Sequence, residues 1–207
     1  MSARATPLAG LYLILDPSVA PERELGLVMR EAAGAGVRLF QYRDKAAPMK
    51  QAYERARLLR AVARELRVTF LVNDRCDLAL AVDADGVHLG QDDLPVADAR
   101  RVLGPSKLIG LSTHNAAQVA VGAKTDVDYL GFGPVFATAS KANPDPVVGV
   151  EGVRAVRSLT GLPMFAIGGI TPARYAEVLR AGADGAAVIS AILSAPEIAK
   201  AVKAFLG

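Results

Sequence analysis

The chain has 207 residues, 52% of them hydrophobic and 22% charged, a balance that lets a globular protein bury a sizeable core without staples. Its one cysteine, Cys76, excludes an intramolecular disulfide, and its net charge of +3 comes from scattered Lys and Arg with few aromatics beside them, which gives no support to nucleic-acid binding. The first residues carry Arg4 but no apolar run of a signal peptide, and no uninterrupted apolar stretch of about 18 residues reads as a membrane span.

From the N-terminus onward, short apolar runs alternate with helical patterns. The run Leu11–Leu15 is followed by the helical stretch Glu22–Ala35, then Val37–Tyr42 by Met49–Leu66. Next come the runs Thr69–Val72 and Gly86–Leu89, the helical stretch Leu94–Leu103, the run Leu108–Leu111 and the helical stretch Ala116–Ala123. Tyr129–Gly131 precedes Val153–Leu159, Met164–Ile167 precedes Pro172–Ala181, and Ala186–Ile189 precedes Ile198–Phe205. The runs are short, apolar and bounded by Gly, Asn, Asp or Pro, as strands buried on both faces are. Thr171-Pro172 reads as a helix start, and Gly34, Gly104 and Gly182 stand where helices should stop.

Read as eight strands in alternation with eight helices, seven of which show the patterns just named, the chain implies a parallel sheet, and that number favours closure over an open doubly wound sheet. Residues 1–207 therefore read as a single (β/α)8 TIM barrel of α/β class, smaller than the usual ~250 residues. The long, Pro-rich segment Gly133–Gly149 has poor periodicity, and a loop of that length in a compact domain is functional or disordered.

Active sites of such barrels lie where strands end, and the unusual polar residues gather there. Gln41, Arg43 and Lys45 follow the second strand, and Asn73 and Asp74 the third. His88, Gln91, Asp92 and Asp93 follow the fourth, and Ser112, Thr113 and His114 the fifth. Thr138, Ser140 and Lys141 lie on the loop after the sixth, Gly168 and Gly169 follow the seventh, and Ser190 the eighth. Gln41, Arg43 and Lys45 alternate, so all three can face the barrel mouth and an anion there; the competing reading has Arg43 and Lys45 leave the core and pair with Asp44. Asp74 and Asp93 stand at the ends of neighbouring strands and suit Mg2+ held together with substrate phosphates; both also suit helix capping. Gly168-Gly169 before Thr171-Pro172 resembles a phosphate cradle. His88 suits a core histidine with a satisfied hydrogen bond, Cys76 an inert small hydrophobe, and no nucleophile paired with a base stands out.

These segments resemble the thiamine phosphate synthase family. The resemblance rests on Gln41-Tyr42-Arg43-Asp44-Lys45, Asn73-Asp74-Arg75, and Gly86-Val87-His88-Leu89-Gly90-Gln91 with Asp93. It continues through Gly110-Leu111-Ser112-Thr113-His114, the run Gly133–Lys141, Ile167-Gly168-Gly169-Ile170 and Val188-Ile189-Ser190-Ala191-Ile192. It implies that Gln41, Arg43, Lys45, Asn73, Ser112 and Lys141 hold an aminopyrimidine diphosphate, with Arg43, Lys45 and Lys141 stabilising the departing diphosphate. It implies that Asp74 and Asp93 bind Mg2+, and that Thr138, Ser140, Gly169, Ile189 and Ser190 hold a thiazole phosphate, the last two through backbone. Ser140 stands where the family usually has a second Thr, which keeps the hydroxyl and loses a methyl. The implied reaction is substitution at the pyrimidine methylene, with diphosphate leaving and the thiazole nitrogen attacking. Two alternatives share parts of the pattern. One is a thiazole tautomerase-like relative with His114 as proton shuttle; the other is a non-enzymatic sensor of phosphorylated ligands. The partners expected are small molecules, the compartment the cytoplasm, and a homo-oligomer is left open.

Overall fold

The computed structural model describes residues 8–138 and 145–207. Eight strands close into a barrel: β1 (Gly10–Leu15), β2 (Leu39–Tyr42), β3 (Thr69–Asn73), β4 (Gly86–Leu89), β5 (Leu108–Thr113), β6 (Tyr129–Phe132), β7 (Met164–Ile167) and β8 (Gly185–Val188). Every neighbouring pair is parallel, including β1 with β8. The connecting helices are α1 (Leu25–Gly34), α2 (Met49–Leu66), α3 (Cys76–Ala81), α4 (Val96–Leu103), α5 (Ala116–Gly122), α6 (Gly149–Arg157) and α7 (Pro172–Arg180), followed by the single turn α8 (Ser190–Leu193) and by α9 (Ile198–Leu206). Among the described residues no helix is long and apolar enough to cross a membrane.

The barrel has two apolar compartments because strand side chains alternate faces. Tyr12, Ile14, Leu39, Leu71, Tyr129, Phe165 and Ala187 pack together inside it. The larger cluster, with Leu13, Phe40, Phe70, Val87, Ile109, Leu130 and Ala166, fills the layer between strands and helices. Inside the barrel, Tyr12, Tyr129 and Phe165 meet edge to face at centroid separations of 5.3 to 6.0 Å, an arrangement that ring quadrupoles favour.

A repeated ionic clamp closes the N-terminal end. Asp85, Asp128 and Asp184 each stand just before an even-numbered strand. Each accepts a hydrogen bond from a backbone N–H of the preceding strand, at Phe70, Ile109 and Met164, over 2.8, 2.9 and 2.8 Å. Each also pairs with an arginine of a preceding helix: Arg60 at 2.8 Å, Arg100 at 2.9 Å and Arg157 at 2.8 Å. These charges lie at the end opposite the active-site rim, where barrels put stability rather than chemistry.

Local chemistry sets the element boundaries. The α1 helix begins at Leu25, later than the helical pattern from Glu22, because the Glu24 carboxylate caps it by accepting from Gly26 N at 2.9 Å and Leu27 N at 3.0 Å. The helical patterns named above omitted α3 and α8, which at 6 and 4 residues are too short to show a period. The third and fifth strands run on through Asn73 and Thr113, so Asn73, Ser112 and Thr113 belong to the strands rather than following them.

Candidate active site

The C-terminal ends of the strands surround a cavity of about 290 Å³. Because β2 to β5 are neighbours in the barrel and β6, β7, β8 and β1 complete the ring, the polar residues fall on two facing arcs. Gln41, Arg43, Lys45, Asn73, Asp74, Asp93 and Ser112 line one arc, and Thr138, Gly169, Ile189 and Ser190 the other. Ser140 and Lys141 lie outside the described residues. Gln91 and Asp92 do not line the cavity: both are exposed, and Gln91 Nε2 donates to Ser112 O at 2.6 Å.

On the first arc the cations are held by carboxylates, but not by Asp44. Arg43 pairs with the buried Asp16, which also accepts from Ser18 N at 2.9 Å. Asp44 instead takes Arg55 at 2.8 Å and the backbone N–H of Ala47 at 2.9 Å, closing the turn into α2. Lys45 Nζ lies 3.1 Å from Asp74. Asp16 follows β1 directly and is not among the candidates read from the sequence; its place one residue past a strand end is the signal that could have found it.

The capping readings of the third and fourth loops are corrected by the geometry. The N-cap of α3 is Arg75 and that of α4 is Pro95, and neither has a side-chain cap bond. Asp74 adopts a positive φ of 60°, which Asp tolerates better than most residues, and its N–H donates to His88 O at 2.8 Å. Asp93 accepts from Gly90 N at 2.7 Å, folding its loop back over the mouth. The two carboxylates consequently meet: burial pushes the Asp74 carboxyl above its ordinary range, Asp93 beside it pushes the same way, and Lys45 opposes. Two adjacent carboxylates over a cavity are oxygen donors of the kind that suit a hard divalent cation. Among the described residues no group of three or more His, Cys, Asp or Glu side chains forms a fuller cage. Cys76 is buried, and burial raises its thiol pKa further, as an inert thiol requires.

The second arc is built from two loops that touch. Val135 N donates to Ile167 O at 2.8 Å and Phe136 N to Gly168 O at 3.0 Å, so the start of the long loop is stitched to the end of β7. A Cβ on Gly168 would stand 2.6 Å from Pro134 Cβ, and one on Gly169 would stand 2.3 Å from Ala137 O; both glycines have positive φ, 99° and 61°. Glycine is therefore required at both positions. Arg174 braces the same turn from α7, donating to Gly169 O at 3.1 Å while its guanidinium lies 4.3 Å from the Phe136 ring centroid. The Thr171 side chain makes no cap bond, and Pro172 supplies the first turn of α7. His114, which also lines the cavity, has Nδ1 2.6 Å from Gly133 O, tying β5 to the loop after β6.

Comparison with known proteins places this arrangement. Residues 11–192 match the family described as thiamine monophosphate synthase. The chain belongs to that family. The thiamine-phosphate synthase of Chloroflexus aurantiacus is 45% identical over 193 residues, 93% of this chain and 89% of that one. The Koribacter versatilis thiamine-phosphate synthase is 47% identical, covering 94% of this chain and 93% of its own. Among solved structures, the thiamine phosphate pyrophosphorylase of Pyrococcus furiosus superposes with a TM-score of 0.86 at 39% identity, covering 96% of this chain and 94% of that one. A 3-hexulose-6-phosphate synthase matches with a TM-score of 0.65 at 18% identity and shares the fold alone.

Proposed function

We propose that this chain joins 4-amino-2-methyl-5-(diphosphomethyl)pyrimidine to 4-methyl-5-(2-phosphoethyl)thiazole, or to its carboxylated form, giving thiamine phosphate and diphosphate. The observation that carries this reading is the division of one cavity into two arcs. Arg43, Lys45, Asp74 and Asp93 gather on one, and the glycine turn at Gly168–Gly169 opens on the other. A diphosphate fits the first arc and a phosphate monoester the second.

In this reading Gln41, Asn73 and Ser112 hold the aminopyrimidine, while Arg43 and Lys45 hold its diphosphate, joined by Lys141 from outside the described residues. Asp74 and Asp93 would hold Mg2+, which when bound supplies Lewis-acid stabilisation of the charge on the leaving diphosphate. Lys45 shares Asp74 and is placed to turn from it to the diphosphate. Thr138, Ser140, the Gly169 backbone and the backbone of Ile189 and Ser190 hold the thiazole phosphate.

The carbon–oxygen bond between the pyrimidine methylene and diphosphate breaks, and its electron pair leaves with diphosphate. The lone pair of the thiazole nitrogen forms the new carbon–nitrogen bond. With a carboxylated thiazole, carbon dioxide departs as well. The nucleophile is a neutral ring nitrogen and sheds no proton, so the site needs no general base. Incubation with both phosphorylated heterocycles and Mg2+ is expected to release thiamine phosphate and diphosphate in equal amounts. Tight binding of both without product would leave a sensor, and isomerisation of the thiazole alone a tautomerase.

A further inference from the structure

Below the cavity floor, five side chains from five strands form one continuous hydrogen-bonded chain. Gln41 Nε2 is 2.5 Å from Tyr12 Oη, which is 3.0 Å from Tyr129 Oη. Tyr129 Oη is 2.9 Å from His88 Nδ1, and His88 Nε2 is 2.9 Å from Ser112 Oγ. Gln41, His88 and Ser112 line the cavity, whereas Tyr12 and Tyr129 are fully buried in the apolar interior. The chain is thus a bridge through the barrel core whose two ends surface in the same site.

The polarity of this bridge follows from its first bond. The Gln41 amide nitrogen only donates, so Tyr12 Oη accepts there and gives its own proton to Tyr129 Oη. Tyr129 in turn donates to His88 Nδ1. His88 is then the tautomer protonated on Nε2, and it donates to Ser112 Oγ. Burial holds both phenols well above their ordinary range, so each stays a neutral one-in, one-out relay. With its nitrogen donating to Tyr12, the carbonyl oxygen is the amide atom that Gln41 has left to accept from a ligand in the cavity it lines. With its oxygen accepting from His88, Ser112 has its proton to give.

The neighbouring strands are shaped around the bridge. A Cβ on Gly110 would stand 2.1 Å from Tyr129 Cζ and 2.5 Å from His88 Nδ1, and one on Gly131 would stand 3.2 Å from His88 Cε1. Any other residue at 110 would displace two of the five members. A buried polar chain within an apolar core costs stability wherever a member is unsatisfied, and a purely structural core would be served by phenylalanines.

We infer that Tyr12, Tyr129 and His88 are positioning residues that fix Gln41 as a hydrogen-bond acceptor and Ser112 as a donor, and so select the 4-amino over the 4-oxo form of the pyrimidine substrate. The inference rests on the reading of the site given above. The amino group brings protons to the Gln41 oxygen; an oxo group in its place sets oxygen against oxygen. Removing the Tyr129 hydroxyl leaves the Tyr12 proton with Gln41 as its remaining partner. The amide then turns over and offers its NH2 to the cavity, which suits the oxo form.

The test is competition binding of the 4-amino and 4-oxo forms of 2-methyl-5-(diphosphomethyl)pyrimidine to the native chain, Tyr129→Phe and Tyr12→Phe. The native chain should prefer the amino form by about a hundredfold, since the wrong form leaves buried polar groups unpaired. Either variant should narrow that ratio below about tenfold while thiazole phosphate affinity stays unchanged. Damage to folding alone would weaken both forms by one factor and leave their ratio intact. An unchanged ratio in a folded variant would overturn the inference, as would equal binding of both forms by a native chain that makes thiamine phosphate. A native chain that makes no thiamine phosphate would instead reject the reading of the site.

Discussion

Lys45 Nζ lies 3.1 Å from an Asp74 carboxylate oxygen, and the Asp93 carboxyl presses on the same group from another side. One carboxylate thus serves a cation and opposes an anion at once. Without substrate, a divalent cation has two protein carboxylates to bind and must displace Lys45 from one of them. In the proposed reading the diphosphate would supply further oxygens and give Lys45 a new partner, so metal and substrate binding would reinforce each other.

The first prediction follows from that coupling. Mg2+ should bind weakly to the chain alone and at least about tenfold more tightly with the pyrimidine diphosphate present, a coupling of ordinary size. Asp93→Ala should lower turnover at least about a hundredfold, a loss of roughly 2.7 kcal/mol of transition-state stabilisation. Its melting temperature should stay close to that of the native chain. Titration calorimetry with and without substrate, beside steady-state rates in chelator, measures both. Full activity in excess chelator would remove the metal from the mechanism.

A second prediction isolates the other arc. Gly169→Ala places a methyl group 2.3 Å from Ala137 O at a φ of 61°, so the two loops must separate. The KM for thiazole phosphate should rise more than about tenfold, since a misplaced anchor commonly costs that much or more. Binding of the pyrimidine diphosphate on the facing arc should be preserved. Equal losses for both substrates would mean that the arcs are not separate subsites.

Much of this arrangement is legible in the sequence. The eight apolar runs give the barrel because strands buried on both faces are mostly apolar, and the strand-end rule then gathers Gln41, Arg43, Lys45, Asn73, Asp74, Asp93 and Ser112. What the sequence hides are pairings at long range. The pairing of Arg43 with Asp16 is hidden until β1 and β2 align Leu15 with Tyr42. Tyr12 and Tyr129 read as core aromatics, and only the closed ring brings their hydroxyls to 3.0 Å across 117 residues. Asp74 and Asp93 suit capping as well as Mg2+ in the sequence; against capping stand the positive φ of Asp74, whose N–H reaches His88 O on the next strand, and the local bond from Gly90 to Asp93.

The third prediction concerns the ionic clamps at the opposite end. Asp128 is 7% exposed and ties both Arg100 and the backbone of Ile109. Asp128→Ala removes the buried partner of the mostly buried Arg100, which keeps the exposed Asp126, and leaves the Ile109 N–H without its acceptor; it should cost about 2 kcal/mol of stability. Chemical denaturation should show that loss, while kcat and both KM values measured well below the transition stay near native. A large change in kcat without loss of stability would place this end of the barrel in the chemistry.

The fourth prediction addresses how the bond to diphosphate breaks. In the proposed reading Arg43, Lys45, Asp74 and Asp93 all act at the leaving group, and the neutral thiazole nitrogen has no proton for a base to remove. Such a site assists bond breaking more than bond making, so the methylene carbon becomes electron-poor in the transition state and draws on the 4-amino group for electrons. Electron-withdrawing substituents on the pyrimidine should therefore slow the reaction steeply even where binding is unchanged, each tenfold loss corresponding to about 1.4 kcal/mol. Direct displacement would respond far less, because the incoming nitrogen supplies electrons as diphosphate departs. Single-turnover rates across 4-aminopyrimidine analogues of similar size distinguish the two, provided each keeps the 4-amino group. A flat dependence would reject dissociation while leaving the synthase reading intact, and a steep one would account for the cations gathered at the barrel mouth.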